Sequence, residues 1–218
     1  AVTQEPKTYS NPLIENWIYD GEKVDLKGAR GEYISFQIVL SNLGTHPLKH
    51  IQVAVEAFTR QDISWQIKPE LFLEWAVEVK NPSTGYPQAS LGEGWYPDAL
   101  IPYDQLQADS SLVQRRWTYP LELPDFNNRV DDQQSMIIWV DQYIPFDQSL
   151  CPPGFYESEL TVSIGNTSTR IPIRLEVWNF AIPNANKFKA SLQHEGFLSS
   201  MNESDALKIY QLFKRHRI

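Results

Sequence analysis

A hydrophobic period of two runs through most of this chain, and a helical period enters only at its far end. The clearest case is Glu32 to Leu40, where Tyr33, Ser35, Gln37 and Val39 alternate with Ile34, Phe36, Ile38 and Leu40. Successive strand side chains point to opposite faces of a sheet, so this segment has one wholly apolar face and one mixed face. Lys23 to Leu26 precedes it, and His50 to Phe58 alternates again with Ile51, Val53 and Val55 on one side. Further strands are expected over Glu70 to Val79, Gln134 to Val140, Phe155 to Ile164 and Thr169 to Val177. Gly165-Asn166-Thr167, between the last two, has the composition of a hairpin turn. Roughly eight strands, with no helical period before Ser204, predict an all-β fold, a two-sheet antiparallel β-sandwich from about Leu13 to Val177. Phe36, Ile38, Leu40, Val53, Ile138, Val140 and Val162 are expected inside it.

Composition narrows the function classes. The 218 residues suffice for one large or two small domains, and 42% hydrophobic content with 7 Trp, 10 Tyr and 10 Phe excludes disorder. A net charge of −8 argues against nucleic acid and anionic membranes, which select basic surfaces. The longest apolar run, Met136 to Val140, falls far short of the roughly 20 residues that span a bilayer. Cys151 is the single cysteine, so no intrachain disulfide forms, and its place before Pro152-Pro153 suits a bystander thiol. Exported bacterial domains of this size often lack disulfides, and a secreted or periplasmic setting is expected. His46 and His50 have the spacing of a helical zinc pair, but Pro47 and the strand pattern leave them as two surface histidines. Asp131-Asp132 is read as a solvated turn. There is no glycine-rich phosphate loop, Gly-x-Ser-x-Gly or cysteine cluster, and no cofactor or metal is expected.

Two segments depart from the sheet pattern. Asn81 to Arg115 has no sustained period, yet it carries Tyr86, Trp95, Tyr96, Leu100, Ile101 and Tyr103. It is expected to run irregularly along a surface, either of the sandwich or of a neighbouring domain. Trp95 and Tyr96 are its candidate sugar-stacking rings, with packing onto the sandwich as the plainer alternative. The second segment follows a boundary near Ala181 to Asn186, dividing a sandwich at 1–182 from a unit at 183–218. Phe188 to Gln193 reads as a strand, His194 to Asn202 as a polar loop, and Ser204 onward as an amphipathic helix capped by Asn202 or Ser204. Such a unit cannot bury its own apolar faces, so it is expected to be the first βα unit of an incomplete barrel or sheet. His194 and Glu195 would then sit at the carboxyl end of a barrel strand, where active sites collect. There His194 would bind a sugar hydroxyl and Glu195 act as acceptor or acid; two solvated loop residues are the plainer alternative. The helix stripe Leu207, Ile209, Tyr210, Leu212 and Phe213 is expected to dock on the sandwich or to drive self-association.

Several segments together resemble the amino-terminal domain of glycoside hydrolase family 123 proteins, a group overlapping domain of unknown function 4091. They are Gly94-Trp95-Tyr96-Pro97-Asp98-Ala99-Leu100-Ile101-Pro102, Gly31-Glu32-Tyr33-Ile34-Ser35-Phe36-Gln37, Trp139-Val140-Asp141 and Pro152-Pro153-Gly154-Phe155-Tyr156. The ending Tyr210 to Ile218 is similar to the first barrel helix of that family. The resemblance implies a β-sandwich followed by a (β/α)₈ barrel, and retaining hydrolysis of β-linked N-acetylgalactosaminides assisted by the substrate's acetamido group. It also implies an adjacent Asp-Glu pair on the barrel, an exception to the scheme with a carboxylate nucleophile. This chain has no Asp-Glu dipeptide, so that pair has no counterpart here. The leading expectation is therefore a non-catalytic sandwich of a glycoside-hydrolase-like protein. The alternatives are a free-standing carbohydrate-binding or protein-interaction module using Trp95 to Tyr103, and a small enzyme with an unrecognised site.

Overall fold

The computed structural model describes residues 16–61, 63–65, 67–82, 92–108, 119–125, 128, 130, 132–183 and 200–215. Its strands are β1 (Val24–Arg30), β2 (Tyr33–Ser41), β3 (Leu48–Val55), β4 (Thr59–Arg60), β5 (Ile63–Ser64), β6 (Glu70–Val79), β7 (Gly94–Pro102), β8 (Leu121–Leu123), β9 (Ser135–Tyr143), β10 (Gly154–Ile164) and β11 (Thr167–Ala181). Two helices complete it, α1 (Tyr103–Ala108) and α2 (Glu203–Arg215). The strands form two sheets. The larger runs β1-β11-β10-β3-β8, with β4 and β5 beside β10, and the smaller runs β2-β9-β6-β7. Their apolar faces share one core, which joins Ile51, Val53, Leu160, Ile173 and Leu175 of the larger sheet to Phe36, Ile38, Leu73, Ile138 and Val140 of the smaller.

Alternation in the sequence accounts for most of this. In β9 every second residue is buried, with Met136, Ile138, Val140 and Gln142 turned inward. Of the seven residues expected inside, Phe36, Ile38, Val53, Ile138 and Val140 are buried, while Leu40 and Val162 are half-buried against the same core. The β10–β11 hairpin forms where Gly165-Asn166-Thr167 placed it, with Gly165 at φ +58.

Two features differ from expectation, and one choice left open is decided. Not all pairing is antiparallel: β1 lies parallel to β11, with Val24 opposite Ile173 and Gly28 opposite Val177. No tight turn joins the two, so nothing local forces them antiparallel. Next, the stretch from Asn81 to Arg115 contains an edge strand, β7, and the one-and-a-half-turn helix α1. Pro97 and Pro102 and a register slip between Trp75 and Ala76 of its partner β6 break the period that would have revealed it. Among the described residues no strand pairs with the outer edge of β7, and proline is tolerated on such an edge. Lastly, Asn202 rather than Ser204 caps α2: its Oδ1 accepts from the Asp205 N–H at 2.9 Å.

No described residue of α2 is buried, and Leu207, Tyr210 and Leu212 are exposed. The strand expected at Phe188 to Gln193 lies outside the described residues. Strand pairing of the two-sheet body runs up to the boundary segment, where the Ile182 N–H still donates to the Arg30 carbonyl at 2.8 Å. Among the described residues no helix is long and apolar enough to cross a membrane.

Candidate functional site

Trp95 and Tyr96 stand on the edge strand β7, opposite Glu78 and Val77 of β6. Both are half-buried, and the Tyr96 hydroxyl donates to the Gly92 carbonyl at 2.9 Å. Being adjacent on a strand, their rings point to opposite sides of the sheet and do not form one platform. His194 and Glu195 lie outside the described residues, as does Asp131. His46 and His50 are exposed, and among the described residues no three His, Cys, Asp or Glu side chains gather closely enough to hold a metal ion.

The densest chemistry is on the outer face of the smaller sheet. There Trp139 of β9 faces Gln37 of β2 on one side and Phe72 of β6 on the other. Asp141, one step along β9, faces Ser35 and Glu70. The Trp139 Nε1–H donates to Asp141 Oδ1 at 2.6 Å, and the Ser35 hydroxyl donates to the same oxygen at 2.5 Å. Trp139 itself is half-buried. On the other flank of Trp139, Gln37 Nε2 donates to Glu74 Oε1 at 2.7 Å, bridging from β2 to β6 over the intervening β9. Burial pushes the Glu74 carboxyl above the ordinary glutamate range, and the Gln37 bond only partly opposes this. Further along, the Tyr33 and Tyr143 rings meet at 5.1 Å.

Charge on this sheet is one-sided. Its four strands carry Glu70, Glu74, Glu78, Asp98 and Asp141 but no lysine or arginine. Among the described residues Asp141 Oδ2, Glu74 Oε2 and Gln37 Oε1 have no hydrogen-bond partner, so three acceptors are open around the indole beside the second N–H of the Gln37 amide. Sequence reasoning missed this cluster because it spans three strands. Gln37, Trp139 and Asp141 were each visible as large or polar residues in apolar runs, but only register brings them together.

The larger sheet is different outside. Arg174 pairs with Asp25 at 2.6 Å, Lys27 with Glu176 at 3.7 Å, and Arg170 with Glu159 at 3.5 Å. Arg174 also lies 5.2 Å over the Phe155 ring, and Trp178 stacks on Phe180 at 5.7 Å. Inside, Cys151 is buried; that burial raises its thiol pKa and supports its reading as a bystander. Tyr156 beside it is pushed up to about 12, chiefly by burial, and donates to the Pro152 carbonyl at 2.9 Å.

No family model matches this sequence, and no curated protein matches it. Among solved structures it is similar to a family 123 glycoside hydrolase from Clostridium perfringens, studied for glycolipid glycan hydrolysis. The TM-score is 0.51 at 14% identity, over 74% of this chain and 24% of that one. At that identity the likeness is one of fold, and this chain spans about a quarter of that enzyme's length.

Proposed function

We propose that this chain is a non-catalytic β-sandwich domain, residues 1–182, of a glycoside-hydrolase-like protein whose catalytic barrel is a separate part of the parent. Residues 183–218 are its linker and first βα unit, and the parent acts outside the cytoplasm on β-linked N-acetylgalactosaminides. One observation carries this reading: the fold likeness to a glycoside hydrolase covers 74% of this chain but 24% of that enzyme. The absence of any Asp-Glu dipeptide supports it, because acetamido-assisted hydrolysis needs a positioned acid and an orienting carboxylate. The exposed α2 stripe is the surface through which this unit meets neighbouring barrel elements or, in their absence, another copy.

The test compares the 218-residue chain with the product of the full reading frame on chromogenic β-N-acetylhexosaminides. The short chain should be silent and the full product active. Turnover by the short chain, abolished by Glu195→Gln, would make His194 and Glu195 a working site. A full product inactive on every aryl glycoside would remove the hydrolase reading.

A further inference from the structure

We infer that the outer face of the smaller sheet, centred on Trp139 and framed by Gln37, Glu74 and Asp141, binds a neutral oligosaccharide. The inference rests on the glycan-directed reading above and adds a site to it. Three features of the face select that chemistry. Trp139 is half-buried with its indole N–H fixed on Asp141, and the part of the ring left uncovered is an apolar surface of the kind that packs on the C–H face of a pyranose ring. Around it, Asp141 Oδ2, Glu74 Oε2 and Gln37 Oε1 are open acceptors, and their counterparts on a sugar are hydroxyl donors. Finally, the Glu74 and Asp141 carboxylates beside the indole, on strands without lysine or arginine, disfavour sulfated, phosphorylated or uronic glycans.

The framework is already built. Asp141 is held by Ser35 and the indole N–H, and Glu74 by Gln37, so these carboxylates need little reordering to receive a ligand. From Ile137 to Tyr143 the outward residues of β9 extend for about 20 Å, with the Tyr33–Tyr143 pair at one end, which is room for a short oligosaccharide. A cationic protein surface would suit the charge, but the open atoms surround a flat ring and not a docking groove.

The experiment is native electrophoresis of the 218-residue chain through gels containing galactomannan, xyloglucan or mixed-linkage β-glucan, with polygalacturonate and heparin as anionic counterparts. At least one neutral polymer should retard the chain and neither anionic one should. Trp139→Ala should weaken retardation about tenfold, Trp139→Tyr should restore part of it, and Glu74→Gln and Asp141→Asn should each weaken it by less. Trp95→Ala and Trp178→Ala should leave it unchanged. Circular dichroism on each variant separates lost binding from lost fold, and Trp139→Tyr keeps the test usable if Trp139→Ala misfolds. Retardation by no neutral polymer, preference for an anionic one, or sensitivity to Trp95 or Trp178 in place of Trp139 would overturn the site. So would a Trp139-dependent self-association in sedimentation without glycan binding, which would make a second copy the occupant. None of these outcomes bears on whether the full reading frame hydrolyses aryl glycosides.

Discussion

The two sheets are built alike on the inside and unlike on the outside. Both turn every second side chain into the shared core, but the larger sheet covers its outer face with paired charges, whereas the four strands of the smaller carry five carboxylates and no lysine or arginine, Lys80 just beyond β6 pairing with Glu78 at 3.1 Å. Exposed ion pairs of the first kind are a solvated surface and contribute little. A half-buried glutamate bonded to an amide is a different object, because its charge is neither paired nor fully hydrated. The contrast separates the core-facing parity, which sets the fold, from the opposite parity, which the core leaves unconstrained.

The largest effects should show no difference between the sheets. Ile138→Ala in the smaller and Leu175→Ala in the larger each remove a fully buried side chain and should each cost about 2–5 kcal/mol in urea unfolding. A marked inequality would mean that one sheet closes over its cavity better than the other.

Next comes the link between the sheets. Tyr103, which follows β7, accepts a hydrogen bond from the Val53 N–H of β3 at 3.0 Å, and is buried. Tyr103→Phe leaves that N–H unpaired and should cost about 1–3 kcal/mol at neutral pH. Burial, aided by Tyr119, holds the Tyr103 phenol far above its ordinary value. The folded chain therefore keeps this proton where the unfolded chain loses it. The stabilisation is intact below about pH 10 and falls as pH rises further. The Phe variant should show a shallower alkaline decline, leaving Tyr156 to titrate at about 12.

The smallest effects should have opposite signs on the two outer faces. Burial alone would raise the Asp25 carboxyl, but hydrogen bonds and charge from Arg174 and Lys23 outweigh it and hold it below the ordinary aspartate range. Its contribution is present above about pH 4 and is lost as pH falls through its depressed value. Asp25→Asn should cost less than about 1 kcal/mol at neutral pH and nothing in strong acid, once solvent screening is counted. Glu74 runs the other way. Its raised value means that the charged form is the disfavoured one in the fold, so stability should rise slightly as pH falls from neutral toward the ordinary glutamate range. Glu74→Gln should be neutral or mildly stabilising at pH 7, and a loss there would show that the Gln37 bridge outweighs the burial.

How much of this was legible follows from what a period encodes. β6 was read at Glu70–Val79, its observed span, and β10 to within one residue, because both alternate and end at turn residues. β7 was hidden since prolines and its own extra residue, Asp98, shift the alternation midway. The direction of β1 was hidden because a period names a strand's faces and not its neighbour. At six residues, α1 is too short to establish a helical repeat. Trp139 stands within the longest apolar run, Met136 to Val140, although its parity beside Ile138 and Val140 turns it outward. Glu74 and Gln37 stand 37 positions apart, and only the order β2-β9-β6 makes them partners.

The parallel pairing of β1 with β11 also governs how this protein is made. Asp25 and Arg174, which meet across that pair, are 149 positions apart. A ribosome adding roughly 5–20 residues each second must work for several seconds after β1 emerges before its partner exists. Until then the larger sheet has an open edge and the core is uncovered on that side, so nascent chains are held in a state that invites chaperones. The last strand among the described residues is the one that seals the first.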